Sequence, residues 1–196
     1  MNHYFDADYS YSCGTFTDPR NNKEYELACI GDQTWFAENL NYNTGNSWCY
    51  DNDSENCKSL GRLYDWQTAQ SACPDGWHLP SEEEWLVLAN TLGGTDVAGG
   101  KLKGLTGWNE PNVGASNSSG WSAFGSGIYI QKGEHTQSHG FMDKGEMAYF
   151  WSSTESTGYA GPTAVGLSLR RSGKSMSLPP SLMKSNGQSC RCVKDN

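Results

Sequence analysis

Seven cysteines constrain this chain more than any other feature: Cys13, Cys29, Cys49, Cys57, Cys73, Cys190 and Cys192 in 196 residues. No pair has the CxxC spacing of a zinc site, and a reduced cytosolic enzyme of this length seldom carries so many. Disulfides formed in an oxidising compartment are therefore expected, and an odd count leaves one thiol over. Cys49 and Cys57 close a short loop within ordinary disulfide reach. Two β-rich runs surround Asp18-Pro19-Arg20-Asn21-Asn22, a cluster that favours tight turns. They predict a hairpin with Cys13 and Cys29 close across it, then a third extended piece at Gln33 to Phe36.

The next legible segment is CPDGWHLPSEEEWLVLANTLGG, from Cys73 to Gly94. Its histidine and three consecutive glutamates suggest acid/base or metal chemistry, with His78 and Glu82 as imaginable ligands. The spacing favours a helix start instead. Ser81 is placed to cap, Glu84 to reach back to the cap's amide, and Glu82, Glu83 and Glu84 to meet the positive end of the helix dipole. Trp85, Leu88, Ala89 and Leu92 then form a buried stripe that stops at Gly93. Just upstream, Leu63, Trp66, Ala69 and Cys73 at helical intervals predict a first helix near Asp65 to Ala72.

With only 18% charged residues, 12% aromatics and 23 glycines, short strands and long loops should outweigh helix. A single domain over 13–196 is expected, with MNHYFDADYSYS at 1–12 as a tether or edge segment. The net charge is −8 and the 14 basic residues are scattered, Arg170-Arg171 being the one adjacent pair of arginines, which disfavours nucleic acid as a partner. No apolar run reaches the roughly 18 residues of a membrane helix, and the first residues lack signal-peptide character. An exported protein would be represented here by a mature or trimmed form.

From Gly94 to Glu146 the chain is rich in Gly, Ser and Asn with isolated tryptophans, the kind of long stretch in which binding is to be sought. Glu134-His135 with His139 and Asp143 is a polar group there, but GEHTQSHGF is no helix former that would align two histidines, so a solvated loop is expected. Beyond it, AYFWSSTES, TAVGLSLRR and GQSCRCVKDN read as three β-runs, the first two alternating as half-buried antiparallel strands do.

The blocks DPRNNKEYELACIGDQTWFAENLNY, CYDNDSENC, GRLYDWQTA, CPDGWHLPSEEEW, FWSSTES and CRCVKDN, in this order over residues 14–196, resemble the Fibrobacter succinogenes major paralogous domain. The resemblance implies an extracytoplasmic protein, often carried on lipoproteins, so a lipid anchor in the precursor is implied too; the family has no settled activity. Its pattern also resembles the C-type lectin-like fold: α+β, two helices packed on small antiparallel sheets with a long loop region, disulfide-bonded. In that fold a cysteine ending the first helix pairs with one in the last strand, which implies Cys73 with Cys192. Cys190 is then the candidate free thiol, and a swap among Cys13, Cys29 and Cys190 stays open.

That resemblance also colours Glu110-Pro111-Asn112, since Glu-Pro-Asn is a sugar-selecting calcium motif in true C-type lectins. Calcium wants six to eight oxygens, so Asn117, Asp143 or loop carbonyls would have to join Glu110 and Asn112. The tripeptide precedes the Phe150-Trp151 strand, whereas in the lectins the motif follows the corresponding strand, so no cofactor is the firmer expectation. Cys190-Arg191-Cys192 invites comparison with the reactive cysteines of sulfatase-modifying enzymes, a related fold. Residues two apart on a strand cannot easily bridge each other, however.

Aromatic residues in patterned segments, Trp35, Trp66, Trp77, Trp85 and Trp151, are expected in the core. Those in loops or at strand edges, Trp48, Tyr50, Trp108, Trp121, Tyr129 and Tyr159, are the candidate ligand surface, because Trp and Tyr faces suit the C–H faces of sugars. The functional expectation is a surface binding module for glycan or plant polysaccharide. A structural or adhesion module that binds other surface proteins is the alternative. An enzyme using cysteines or a loop metal has least support, because nucleophile, base and orienting group do not come together in sequence.

Overall fold

The first regular element is the expected hairpin: β1 (Ser12–Asp18) and β2 (Lys23–Ile30), followed by β3 (Gln33–Phe36). Its turn is built by Asp18, whose buried carboxylate accepts bonds from the Arg20 amide at 3.0 Å and its guanidinium at 2.9 and 2.7 Å. Asn22 closes the turn at φ 58, a left-handed conformation that Asn tolerates better than most residues. The computed structural model describes residues 12–132, 139–156, 161–179 and 182–195.

After β3 come β4 (Ser47–Trp48), a 3-10 turn (Tyr50–Asn52), α1 (Ser54–Leu60), β5 (Leu63–Tyr64), α2 (Trp66–Ala69) and β6 (Trp77–His78). Two more helices follow, α3 (Glu82–Thr91) and α4 (Thr95–Leu102), then the hairpin β7 (Ser126–Ile130) and β8 (Gly140–Lys144). The chain ends with β9 (Met147–Glu155), β10 (Thr163–Arg170), β11 (Met176–Ser177), β12 (Leu182–Met183), β13 (Gln188–Ser189) and β14 (Val193–Lys194).

The strands make two sheets. One has the order β1-β2-β3-β14-β6; the other runs β11-β10-β9-β13-β5-β4, with β12 beside β10 and β7 joining β8 to β9. Pairing is antiparallel except where β13 and β7 meet β9. The last residues are thus threaded into both sheets, with Cys190-Arg191-Cys192 crossing between them.

Four helices stand among the described residues, not two. The capping box of α3 forms as the spacing requires: Ser81 Oγ accepts from the Glu84 amide at 3.2 Å, and Glu84 Oε2 accepts from the Ser81 amide at 2.7 Å. The helix expected near Asp65 to Ala72 shortens to α2, capped by Asp65 Oδ1 on the Thr68 amide at 2.8 Å. Two helices escaped the periodicity. In α1 the apolar stripe is only Cys57 and Leu60, although Asp53 caps it on the Glu55 amide at 2.9 Å. In α4 the glycines that hide the helix are what let it pack: a Cβ at Gly99 would lie 2.2 Å from Ser175 O, and one at Gly100 2.4 Å from Gly114 O. Strand β10, expected to be half-buried, is covered on both faces from Thr163 to Leu169.

The main core lies under α3. Trp35 and Trp85 stack with centroids 4.8 Å apart, Trp121 meets Trp85 edge-on at 5.9 Å, and Phe150 meets Trp121 at 5.1 Å, all four fully buried. Each such side chain contributes roughly 1.5–3 kcal/mol by leaving water. Arg191 is buried among them with its guanidinium carbon 4.1 Å from the Trp121 centroid. Its N–H groups reach Asn39 Oδ1 at 2.7 Å, Phe36 O at 3.1 Å, Ser122 O at 3.0 Å and also Trp121 O. Burial lowers its pKa to about 9. Cys73–Cys192, Cys13–Cys29 and Cys49–Cys57 are the disulfides, and Cys190 is a buried free thiol.

Candidate functional site

The 3-10 turn, the end of α1, the loop after α4, the residues just before β7 and the end of β8 enclose an open cleft of about 720 Å³. Tyr50, Asp51, Trp108, Asn109, Phe124 and Lys144 give it its chemistry. Tyr50 and Asp51 arrive on a turn pinned from two sides, by the Cys49–Cys57 disulfide and by Asn56 Nδ2 donating to Tyr50 O at 2.9 Å. Asp51 takes φ 56, which a short polar side chain tolerates. Gly127 lets the Tyr50 ring approach strand β7, since a Cβ there would stand 2.7 Å from it. Burial raises the Tyr50 pKa, against a hydrogen bond from the Lys144 backbone.

Trp108 forms the opposite side. Its indole N–H donates to Ala123 O at 2.8 Å, which fixes the half-buried ring. Gly107, at φ 80, admits Phe124 beneath it; a Cβ would lie 2.5 Å from that ring. Asn109 is held at both ends, its amide on Gly145 O at 2.9 Å and its Nδ2 on Glu146 Oε1 at 2.8 Å. Lys144 Nζ bonds Asn56 Oδ1 at 2.5 Å and lies 5.5 Å from the Tyr50 ring centroid. The result is a cleft with fixed aromatic faces and a few polar groups of both signs, suited to an apolar-faced ligand that also carries hydroxyl groups.

Of the six aromatic residues expected to bind, the structure brings Tyr50 and Trp108 into this cleft. Trp48 and Tyr129 pack in a tilted pair at 4.5 Å, and Phe141 continues the row to Tyr50 at 4.9 and 5.2 Å, so they back the cleft from one side. Trp121 belongs to the core, where Trp35, Trp85, Phe150 and Arg191 cover it; its flanking glycine and serines do form a loop, but one that turns the ring inward. Tyr159 lies outside the described residues, as do residues 1–11 and Glu134 and His135. Asp51, Asn109, Phe124 and Lys144 were missed. Asn109 adjoins Trp108, but nothing local marks Phe124 or Lys144, which only the fold brings near.

Glu110 and Asn112 both make hydrogen bonds within the protein. Glu110 Oε2 accepts from the Asn112 amide at 3.3 Å, and Asn112 Nδ2 donates to Gly104 O at 2.9 Å. Asn117 is used on Ser122, at 2.9 and 3.0 Å, and Asp143 accepts from the Tyr149 hydroxyl at 3.0 Å. Among the described residues no three His, Cys, Asp or Glu side chains gather as a metal would require. His78 faces Glu84 Oε1 at 2.8 Å and Asp195 Oδ1 at 2.6 Å from opposite ring nitrogens, not Glu82. In the Cys190-Arg191-Cys192 run, Cys192 is bridged and burial pushes the Cys190 thiol pKa up.

No curated protein and no solved structure matches the chain. The sequence profile described as the Fibrobacter succinogenes major domain matches residues 29–194, from the end of the first hairpin to the last strand. That span takes in most of the core, the cleft and five of the six bridged cysteines, and the chain belongs to the Fibrobacter succinogenes major domain family.

Proposed function

We propose that this protein is an extracytoplasmic, non-catalytic surface module that binds a glycan in the cleft between Tyr50 and Trp108. The observation that carries the reading is the lining: aromatic faces of Tyr50, Trp108 and Phe124 beside Asp51, Asn109 and Lys144, with Trp108, Asn109 and Lys144 held by hydrogen bonds. Sugar rings offer C–H faces to the former and hydroxyls to the latter. Three disulfides support an oxidising location. The C-type lectin-like arrangement is part of the proposal; its support is the Cys73–Cys192 bridge between the segment after α2 and the chain's end. Screening the protein on a glycan array and on insoluble cellulose tests the reading. Binding that Trp108→Ala weakens at least ~10-fold is expected, and no binding to any glycan would overturn it.

A second reading, adhesion to another surface protein, draws on Leu105 and Val113. These apolar side chains flank the Trp108 loop with 67% and 42% of their surface exposed. Co-purification of a protein partner lost on Leu105→Ser would favour it.

A further inference from the structure

Lys103 follows the last residue of α4 and has no exposed surface. A buried ammonium normally needs a carboxylate, yet among the described residues its partners are all backbone carbonyls. Nζ lies 2.9 Å from Val113 O, 2.9 Å from Gly173 O, 3.0 Å from Arg170 O and 3.5 Å from Arg171 O. One oxygen comes from the loop that follows Trp108, the others from the last residue of β10 and the turn after it. A shell of peptide oxygens drawn from two loops is the environment that elsewhere surrounds a bound metal cation.

The two loops have further ties. The Val113 amide bonds Arg171 O at 2.7 Å, and the Arg171 guanidinium reaches Glu110 O at 2.7 Å and the Glu146 carboxylate. Glu146 in turn holds Asn109, a cleft residue, and Lys103 Nζ itself stands 5.4 Å from the Trp108 ring. A route of direct contacts therefore runs from the ammonium to the cleft wall.

We propose that Lys103 is a tethered cation: its ammonium pins the 108–113 loop to the 170–173 turn and so positions Trp108 and Asn109 without a metal ion. Lys103 is a positioning residue, and its link to ligand binding rests on the glycan reading of the cleft; its role as an internal cation does not.

Thermal unfolding of wild type, Lys103→Met and Lys103→Ala in matched sodium, methylammonium and tetramethylammonium chlorides tests this. Lys103→Met keeps the length but removes every N–H donor, and should melt roughly 10 °C lower. Lys103→Ala opens a space that methylammonium fills, so its melting point should rise saturably in that salt alone, while wild type does not respond. Tetramethylammonium carries the charge without an N–H and should do nothing. If Lys103→Ala is unfolded in sodium chloride, the same comparison reads recovery of native tryptophan emission. Lys103→Met melting within about 1 °C of wild type, or an equal response to all three salts, would overturn the cation role. Glycan binding by wild type that survives a chelator supports positioning without metal, and binding lost to the chelator contradicts it. A protein that binds no glycan sinks the cleft reading only, leaving the melting result to decide on Lys103.

Discussion

Trp108 and Trp121 occupy the same Gly- and Ser-rich stretch, yet one borders an open cleft and the other is fully buried. The difference lies in what the fold puts against each ring. Trp121 meets Trp35 at 6.3 Å, Trp85 at 5.9 Å and Phe150 at 5.1 Å, with the Arg191 guanidinium at 4.1 Å. Trp108 is anchored by one hydrogen bond to Ala123 O and keeps solvent on its cleft side. Identical side chains thus pack the core in one place and line an open cleft in the other, and local composition does not distinguish them.

The two regions should part under mutation. Removing the Cys73–Cys192 bridge, whose partners are 119 residues apart, acts on the core side. The chain-entropy relation gives a loss of about 5 kcal/mol, read by denaturant unfolding of the double alanine variant. Trp121→Ala should cost about 3–5 kcal/mol by leaving a cavity in the tryptophan cluster. Its glycan affinity, measured below the melting point, should stay near that of wild type; a large loss of affinity in folded protein would break the division between core and cleft.

The Cys49–Cys57 bridge belongs to the cleft side and spans 8 residues. Its removal should cost about 2.5 kcal/mol by the same relation and, unlike the long bridge, should weaken glycan binding in the folded protein by freeing the Tyr50 turn. The smallest effect concerns His78. Burial disfavours its charged form, but the hydrogen bonds to Asp195 and Glu84 outweigh burial and raise its pKa. A raised pKa means stability that is complete below the unfolded value of about 6.5 and lost as pH climbs through the folded value. With the side chain 40% exposed, screening limits the gain to about 0.5 kcal/mol. Melting curves of wild type and His78→Gln should therefore converge from pH 6 to pH 8.5, and a gap that widens with pH would contradict the sign.

Much of this frame was legible in the chain. Asp18 to Asn22 announced the first hairpin, Ser81 and Glu84 the α3 cap, and the cysteine spacings and family resemblance suggested the cross-links found. Failures had a common physical origin in contacts between distant segments. Helix α4 looked like loop because Gly99 and Gly100 carry no pattern, though their missing side chains are what admit the backbone of Ser175 and Gly114. Strand β10 kept Thr163 and Ser168 in its interior, where the second covering layer could not be foreseen from an alternation. Of the cleft only Tyr50 and Trp108 were visible; Phe124 and Lys144 join it only through pairing of β7 with β8.

Calorimetric titration of wild type and Trp108→Ala with the soluble fragments of whichever glycan the array selects tests the central claim most directly, with thermal melting of both run in parallel. The cleft account predicts affinity at least ~10-fold weaker for Trp108→Ala, a change of about 1.4 kcal/mol, with the two melting points within a few degrees. Equal affinity of the two proteins would contradict it.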